Sequence, residues 1–448
     1  MAKTICMDVV LKLFLLGSLL LANFLPVHSR DSKFTRKGSG PMYWMAYEYC
    51  YDNNQSLPEE RYKKNIDWVD VHLKAYGYDM ICTDGWIEQA QTINANGYIT
   101  KYNSGWQHDF GYWSAYIRSK GMKFGVYYNP MWLTRTAWEH DCPVAGTTTT
   151  TRQIVGKNSF NADLYWVDTA RPGAEQWIKG YVRHFIDLGA TYLRIDFLEN
   201  YERNYGSDKY VQALEWIKEE AGDEIFISLV MPNCFSHGKN EIPYGDMIRI
   251  SDDCFKGGWD FVSGRRRGER QENWPQYGNV FDGFVGFSDI AAHGQLIMDG
   301  DFMRMNTMAN MNERRFLFSL MVVTGSALAV SDQYDTVTEE CLQVYRNKEL
   351  IELNQVGYCA KPLSQDVKSK DSSRWVGKLP SGDWIVAFFN REDEPDEYRI
   401  DFRKELDIVA GKVKNVRDLW AHQDFGPMQS SYSVMLEPHS CQIIRITK

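Results

Sequence analysis

The feature that most constrains this chain is a regular alternation of strand-like and helix-like segments between residues 41 and 347. Short apolar runs, each typical of a buried strand, recur eight times, and longer segments with helical spacing of apolar residues lie between them. The first such helix carries Tyr62, Ile66, Val69 and Leu73 on a single stripe. Eight strand–helix units in about 300 residues are typical of a (β/α)8 barrel. We therefore predict an α/β fold, a (β/α)8 TIM barrel.

The pattern changes after residue 350. Short strand-like segments such as Trp384–Phe389 and Tyr432–Leu436 are separated by turns, for example at Ser381-Gly-Asp383, and no long helical pattern remains. This is typical of antiparallel strands. We predict a catalytic barrel over residues 30–350 and a C-terminal antiparallel β-sandwich domain over residues 351–448.

The first 29 residues have the pattern of a signal peptide. Lys3 and Lys12 precede an apolar run over residues 13–25, and Ser29 is a small residue at a plausible cleavage point. The apolar run is too short for a comfortable membrane span. We expect export to the periplasm or the medium, with no membrane attachment in the mature form.

Acidic residues gather where the predicted strands end. In a parallel barrel, that end of each strand faces the mouth of the active site. The best placed is Asp196, directly after the strand Tyr192–Ile195. A single such acid could cap the next helix or pair with Arg194, but several on one rim favour an active site. These acids are Asp84, Asp196, Asp252, Asp253, Asp299, Asp301 and Asp332.

An acidic rim without histidine ligands or a glycine-rich phosphate loop suits glycoside hydrolysis, which needs one ionised carboxylate and one carboxyl that donates a proton. The alternative is a hard cation on acids such as Asp84, Asp253, Asp299 and Asp301. Without a tight acidic loop or zinc spacing, we expect no metal and no cofactor.

The composition points to the same class of partner. Fifteen Trp and 26 Tyr favour carbohydrate, since flat rings are common platforms for sugars. The net charge of −9 argues against nucleic acid as the main partner. The basic run Arg265–Arg267 is interpreted as a solvated loop rather than a phosphate site. The sequence does not indicate an oligomeric state.

Six motifs, in order, carry a resemblance to glycoside hydrolase family 27, the α-galactosidase and α-N-acetylgalactosaminidase group. The nucleophile strand Tyr-Leu-Lys-x-Asp of that family is similar to Tyr192–Asp196, and its acid/base segment Arg-x-x-x-Asp is similar to Arg249–Asp253. The remaining four resemblances are those of residues 42–47, 84–86, 299–301 and 347–355. The resemblance extends from about residue 41 to the C-terminus.

The resemblance implies a retaining mechanism and a role for each matching residue. Asp196 would be the nucleophile, and Asp253 would protonate the leaving oxygen and then activate water, with Asp252 as the alternative acid. Arg194 would donate to sugar hydroxyls and hold Asp196 ionised, because a nearby cation lowers the pKa of a carboxyl. The other expected substrate-binding residues are Tyr47, Asp84, Trp86, Tyr127, Arg249 and Asp299. The three rings among them could equally be core residues.

Two departures from the family concern the sugar pocket. Thr83 stands where the family has an Asp that helps to hold the 6-hydroxyl of the sugar, and residues 230–234 lack the Glu-Trp-Pro-x-Tyr that helps to recognise the 2-position. We predict a retaining exo-glycosidase acting on terminal α-D-galactosyl-type residues of an oligo- or polysaccharide. The alternatives are a related enzyme for another sugar, such as β-L-arabinopyranoside, a non-catalytic carbohydrate-binding barrel, or a metal-dependent barrel hydrolase.

Overall fold

The computed structural model describes residues 39–85, 92–230, 236–270, 276–290 and 296–448. The predicted signal peptide, residues 1–29, and Trp86 lie outside these ranges. The strands of the first part of the chain are β1 (Met42–Met45), β2 (Met80–Cys82), β3 (Lys123–Tyr127), β4 (Trp132–Thr134), β5 (Val155–Ser159), β6 (Leu164–Val167), β7 (Ala190–Ile195), β8 (Phe226–Leu229), β9 (Met247–Arg249), β10 (Ile297–Asp299) and β11 (Leu328–Val330).

Eight of these strands form one parallel sheet in the order β10-β9-β8-β7-β3-β2-β1-β11. The two ends of this order meet where Met303, just beyond β10, forms a parallel bridge with Val330 of β11. The sheet is therefore the predicted barrel. Its strands are almost fully buried, as expected where helices cover a parallel sheet.

Helices occupy the connections between the strands. They are α1 (Tyr47–Asn53), α2 (Glu59–His72), α3 (Phe110–Ser119), α4 (Arg135–Glu139), α5 (Thr151–Ile154), α6 (Ala174–Asp187), α7 (Leu198–Tyr205), α8 (Ser207–Ala221), α9 (Val280–Gly286), α10 (Met311–Val323), α11 (Glu339–Tyr345) and α12 (Lys348–Gln355). In α6, Trp177, Tyr181 and Phe185 form a buried stripe at helical spacing. Gly189, with φ of +88°, then turns the chain into β7.

Residues 131–165 form a small unit of regular structure outside the barrel sheet. The strands β4, β6 and β5 form a separate antiparallel sheet in that order, with α4 and α5 between them. The connection after β9 contains a π-helical turn, Asp260–Gly264, and α9.

The C-terminal part is built from antiparallel strands, as predicted. They are β12 (Lys361–Pro362), β13 (Arg374–Lys378), β14 (Trp384–Phe389), β15 (Asp396–Asp401), β16 (Asn415–Asp418), β17 (Gln423–Asp424), β18 (Ser431–Leu436) and β19 (Cys441–Thr447), with one short helix, α13 (Phe402–Leu406). Six of them form the sheet β12-β13-β14-β19-β16-β17, and β15 pairs with β18.

The barrel and the C-terminal strands share one hydrophobic core. Trp375, Phe389 and Ile443 belong to the same buried cluster as the barrel strands, and Phe389 contacts Phe316 of α10 with ring centroids 4.8 Å apart. A second, smaller cluster lies within the C-terminal part and includes Phe388 and Tyr398. Among the described residues, no helix has the length and apolarity needed to span a membrane.

Candidate active site

Asp196 lies immediately after β7, at the mouth of the barrel, and is held by three short hydrogen bonds. The Tyr127 hydroxyl donates to Oδ2 at 2.7 Å, and the backbone N–H of Phe197 donates to Oδ1 at 2.7 Å. The Asn129 amide donates to the backbone carbonyl of Asp196, also at 2.7 Å. The side chain is therefore fixed in one orientation, with both carboxylate oxygens receiving a donor.

The charge state of Asp196 depends on opposing influences. Burial and the negative charge of Asp253 raise its pKa, whereas the Tyr127 hydrogen bond, the Arg194 cation and the Phe197 N–H lower it. The net shift is upward, so the expected lowering by Arg194 is present but is outweighed. The influence of Asp253 also means that the two predicted catalytic carboxyls lie within electrostatic reach of each other.

Phe197 has a backbone conformation that is unusual for a residue with a side chain. Its φ of +60° and ψ of +32° lie in the left-handed region, which costs such residues roughly 1–2 kcal/mol. The ring packs against Phe160 and Trp132, with centroids 4.6 and 6.0 Å away. The small antiparallel sheet thus supports the turn that points the Phe197 N–H at Asp196, and strain of this kind is frequent at active sites.

The two adjacent acids after β9 have different surroundings. Asp253 accepts a hydrogen bond from Arg249 Nη1 at 3.1 Å, and its side chain is 33% exposed. Asp252 instead accepts from Arg266 Nη2 at 2.6 Å and from Arg265 Nη1 at 3.5 Å. The arginine run, interpreted from the sequence as a solvated loop, is thus paired with acids.

Two buried arginines and two buried aspartates lie beneath these acids. Arg194 binds Asp299 at 2.8 Å and Asp301 at 3.4 Å, and Arg249 binds the same pair at 3.5 and 2.5 Å. Burial raises the pKa of Asp299, but the two arginines outweigh it and lower the pKa overall. Both guanidinium groups also lie over the ring of Phe302, 4.6 and 5.8 Å from its centroid.

This network changes the interpretation of three predicted substrate-binding residues. Asp299 has no exposed surface and binds both arginines. Arg194 contacts Asp299 and Asp301 and makes no ion pair with Asp196. Arg249 joins Asp253 to the same two acids. The structure therefore places all three in one buried network, which contacts the candidate acid Asp253 through Arg249.

Asp84 and Tyr47 lie within electrostatic reach of the same acids. Asp84 is 2% exposed, and Oδ1 accepts from the Gly85 N–H at 2.5 Å. Burial, together with the charges of Asp301 and Asp196, raises its pKa to about 7 against the opposing effects of Gly85 and Arg194. The Tyr47 ring stacks on Tyr51 and contacts Phe302. Burial and the charges of Cys254, Asp253, Asp301 and Asp84 raise the pKa of its hydroxyl.

Asp332, predicted on the acidic rim, has a structural position. It is fully buried, and its carboxyl accepts the backbone N–H groups of Met305 and Asn306 at 3.1 Å each and the Tyr345 hydroxyl at 2.6 Å. These bonds tie the end of β11 to the chain after β10. Not every acid at a strand end therefore belongs to the reacting site.

Sequence reasoning missed Phe197, Asn129 and Glu199, which surround Asp196. Glu199 lies in the first turn of α7, is 3% exposed, and has its pKa raised to about 7 by burial and by the charge of Asp196. The available signal was an acid three residues after the candidate nucleophile, at the start of a helix. A left-handed phenylalanine has no sequence signature.

Comparison with known proteins identifies relatives along almost the whole chain. A family profile described as "Alpha galactosidase C-terminal beta sandwich domain" matches residues 369–446. An isomalto-dextranase from Arthrobacter globiformis is 44% identical over 452 residues, covering 94% of this chain and 69% of that protein. Alpha-galactosidase 2 from Arabidopsis thaliana is 22% identical and covers 92% of this chain and 90% of its own length.

Solved structures give the same result. The isomalto-dextranase of Arthrobacter globiformis T6, complexed with panose, has a TM-score of 0.87 at 43% identity, covering 94% of this chain and 75% of that one. A family 27 β-L-arabinopyranosidase from Geobacillus stearothermophilus has a TM-score of 0.74 at 18% identity, covering 92% and 97%, which is a likeness of fold. The chain therefore belongs to glycoside hydrolase family 27, the melibiase-like family, and is a glycoside hydrolase.

Proposed function

We propose that this enzyme is a retaining glycosidase in which Asp196 is the nucleophile and Asp253 is the acid/base. In the first step, a carboxylate oxygen of Asp196 bonds to C1 of the sugar while the glycosidic C1–O bond breaks, and Asp253 gives its proton to the departing oxygen. In the second step, Asp253 removes a proton from water, the water oxygen bonds to C1, and Asp196 is released.

The observation that carries this assignment is the contrast between the two acids. Asp196 receives one donor on each oxygen, which favours the ionised form that a nucleophile needs. Asp253 is one-third exposed, and Arg249 is the one described residue that donates to its side chain, so its carboxyl is accessible to a leaving group and to water. Asp252 is occupied by Arg265 and Arg266 and is the weaker candidate.

We infer that the substrate is a dextran-type α-1,6-linked glucan. The relative with 44% identity is an isomalto-dextranase, and a structure of such an enzyme holds panose, a glucose trisaccharide with an α-1,6 link. Export after cleavage near residue 29 is part of the same proposal, because a polysaccharide of this size has to be cut outside the cell.

Thr83 supports this substrate. Its hydroxyl accepts the backbone N–H of Tyr127 at 3.0 Å, and the residue is 2% exposed, so it joins β2 to β3. The resemblance to α-galactosidases leads us to expect an acid here for a free 6-hydroxyl. In an α-1,6-glucan, O6 of an internal glucose carries the next sugar. That glucose has no free 6-hydroxyl for a carboxylate to bind.

A second candidate substrate is also argued from Thr83. β-L-Arabinopyranose is galactose without its 6-carbon, and it too would not need the missing acid. An α-galactosyl substrate is the family's usual alternative and fits Asp84, whose buried carboxyl could accept hydrogen bonds from sugar hydroxyls.

The test compares hydrolysis of dextran, aryl α-D-galactopyranoside and aryl β-L-arabinopyranoside, with Asp196→Asn as the blank. We expect dextran to be cut with release of isomaltose. The product should appear first as the α-anomer in NMR spectra, and turnover should survive a chelator. Preference for either aryl glycoside would reassign the sugar, and β-isomaltose as the first product from dextran would overturn the retaining mechanism.

Comparing substrates with poor and good leaving groups distinguishes the roles of Asp196 and Asp253. Asp196→Asn should lower kcat about a thousandfold or more on every substrate. Asp253→Asn should be nearly as damaging on dextran but much milder on an aryl glycoside of the same sugar with a good leaving group, which needs no proton. Asp252→Asn is the matched control, and a stronger loss in this control than in Asp253→Asn would exchange their roles.

A further inference from the structure

Asp301, two residues beyond β10, is a buried acid with both carboxyl oxygens bound. Its Oδ1 contacts Arg249 Nη2 at 2.5 Å and Arg194 Nη2 at 3.4 Å. Its Oδ2 accepts the backbone N–H of Cys254 at 2.7 Å. The side chain is 0% exposed, so Asp301 acts on other residues of the protein and not on the substrate.

Both oxygens of Asp301 lead to Asp253, the candidate acid/base. Arg249, bound by Oδ1, donates to the Asp253 carboxyl through Nη1 at 3.1 Å. Cys254, bound by Oδ2, is the next residue in the chain, so its N–H belongs to the peptide group that begins at the Asp253 carbonyl. Asp301 is therefore connected to the side chain of Asp253 and to its backbone.

The segment that carries Asp253 needs such support, because it lies outside the barrel sheet. The strand β9 ends at Arg249, and residues 252–254 are neither helix nor strand. Arg265 also donates to the Asp253 carbonyl, at 3.2 Å, but its side chain is 23% exposed. A proton donor has to be held close to its productive position, since a misplacement of about 1 Å can cost roughly a hundredfold in rate.

We propose that Asp301 is a positioning residue for the acid/base, and that its two bonds hold Asp253 at the leaving oxygen. The inference rests on the proposed function, because that function assigns the proton transfer to Asp253. Asp299 also binds the two buried arginines, through Oδ2, but its Oδ1 accepts the N–H of Asp301 at 2.8 Å. The bond from Asp301 to the Cys254 N–H has no part in balancing the arginine charges, and it joins the carboxyl to the acid/base segment.

The experiment measures kcat/KM of Asp301→Asn on two substrates of the sugar that the unmodified enzyme hydrolyses. One is a glycan, which is dextran under the proposed function, and the other is an aryl glycoside with a good leaving group. An amide has one oxygen, so either Arg249 or the Cys254 N–H would face an NH2 group. Asparagine adopts the left-handed φ of +67° found at this position, so the backbone is preserved. We expect a loss of about a hundredfold on the glycan and of less than about fivefold on the aryl glycoside, whose leaving group departs without a proton.

Two further measurements distinguish positioning from general damage. On the aryl glycoside, kcat and KM should fall together, because the second step still needs Asp253 as a base while the first does not need it as an acid. Arg249→Lys should show the same dependence on the leaving group, since an ammonium lacks the fork that joins Asp253 to Asp301. This variant also tests the proposal if Asp301→Asn does not fold.

The matched control is Asp332→Asn. Asp332 is another fully buried acid beyond a barrel strand, and it accepts the backbone N–H groups of Met305 and Asn306 at 3.1 Å each. Those bonds hold the chain after β10 and not the acid/base segment. Because this control reports only the cost of an amide at a buried carboxyl, any loss of activity should be the same on both substrates.

Equal losses on the two substrates in both Asp301→Asn and Arg249→Lys would overturn the proposal and give Asp301 a purely structural role. Asp253→Asn distinguishes this result from a failure of the proposed function. If Asp253→Asn depends on the leaving group and the other two variants do not, only the role of Asp301 is refuted. If Asp253→Asn also lowers activity equally on both substrates, the assignment of Asp253 as acid/base is refuted, and the role of Asp301 with it.

Discussion

At the scale of single residues, the hydrogen bond from Tyr127 to Asp196 links geometry to the pH dependence of the reaction. The bond stabilises the ionised carboxylate and lowers its pKa, opposing burial and Asp253. Removing it in Tyr127→Phe should raise the pKa of Asp196. Because the nucleophile must be ionised, the acidic limb of the kcat/KM profile should move to higher pH, with activity at pH 5 falling about tenfold.

The control for this change is Tyr128→Phe. Tyr128 is also buried, but its hydroxyl accepts from Tyr181, whereas the hydroxyl that donates to Asp196 is that of Tyr127. We expect its acidic limb to stay in place even if stability falls. An identical shift in both variants would show that the effect comes from general loosening of β3 and not from the bond to Asp196.

The residues of the site could be predicted only in part. Asp196 and Asp253 stand out because an acid directly after a short apolar run is a local pattern. The partners of Arg194 are not local, since Asp299 and Asp301 lie more than 100 positions away and reach it through barrel closure. Whether a buried cation contacts the nucleophile or another acid is decided by that closure.

At the scale of elements, α7 shows why a helix can escape sequence analysis. Its buried positions include Leu198 and Tyr201 but also two acids, Glu199 and Glu202, so the apolar spacing is broken where the helix is most buried. The small sheet β4-β6-β5 was missed for a related reason. Its strands have three to five residues, and one of them, Val155–Ser159, is mainly polar.

The buried acids around α7 predict an unusual dependence of stability on pH. Glu241 has no exposed surface, accepts from the Tyr210 hydroxyl at 2.9 Å through Oε1, and has a buried Oε2 without a partner among the described residues. Burial, and then the charge of Glu202, raises its pKa to about 8. An unfolded glutamate ionises near pH ~4.3.

The difference between the folded and unfolded pKa of Glu241 sets the direction of the effect of pH on stability. Between pH ~4.3 and about 8, Glu241 keeps its proton in the folded protein but has lost it in the unfolded chain. The contribution of Glu241 to stability is therefore complete below this window and is lost as pH rises through it. Glu241→Gln keeps the acceptor for Tyr210 and removes the titration. Its Tm should exceed that of the unmodified enzyme by a few degrees at pH 8 and differ little at pH 4.

The control for this measurement is Glu219→Gln on α8, which removes one negative charge from an exposed position. The same gain in Tm at pH 4 and pH 8 for Glu241→Gln would contradict the titration of this group as the cause. A gain of equal size in the control would assign the effect to net charge.

At the scale of the whole molecule, the barrel and the antiparallel C-terminal part are both visible in the sequence, but their shared core is not. Helical and alternating patterns indicate which face of an element is buried, but they do not indicate which other element packs against that face. Phe281 of α9 and Phe389 of β14 contact each other with centroids 5.8 Å apart, although over 100 residues separate them. Such contacts make cooperative unfolding the expectation.

A buried ion pair across this shared core gives the sharpest test of cooperativity. Arg391, just after β14, binds Asp282 of α9 at 2.7 Å and the Ser263 hydroxyl at 2.6 Å, and both charged side chains are at most 1% exposed. Asp282→Asn would leave the guanidinium buried without its counter-charge, which typically costs about 3–5 kcal/mol. Arg417→Ala breaks a pair with Glu349 in which each side chain is 29% exposed, so it should destabilise the protein far less.

Because the pair joins barrel to strands, the loss in Asp282→Asn should appear as one earlier urea transition, with enzyme activity and tryptophan fluorescence lost together. The double change Asp282→Asn with Arg391→Met should recover part of the loss, since replacing both charges by apolar or neutral groups removes the uncompensated ion. If the C-terminal strands unfolded first while dextran hydrolysis persisted, the shared core would not couple the two parts, and the contacts of Phe389 and Arg391 would be local packing only.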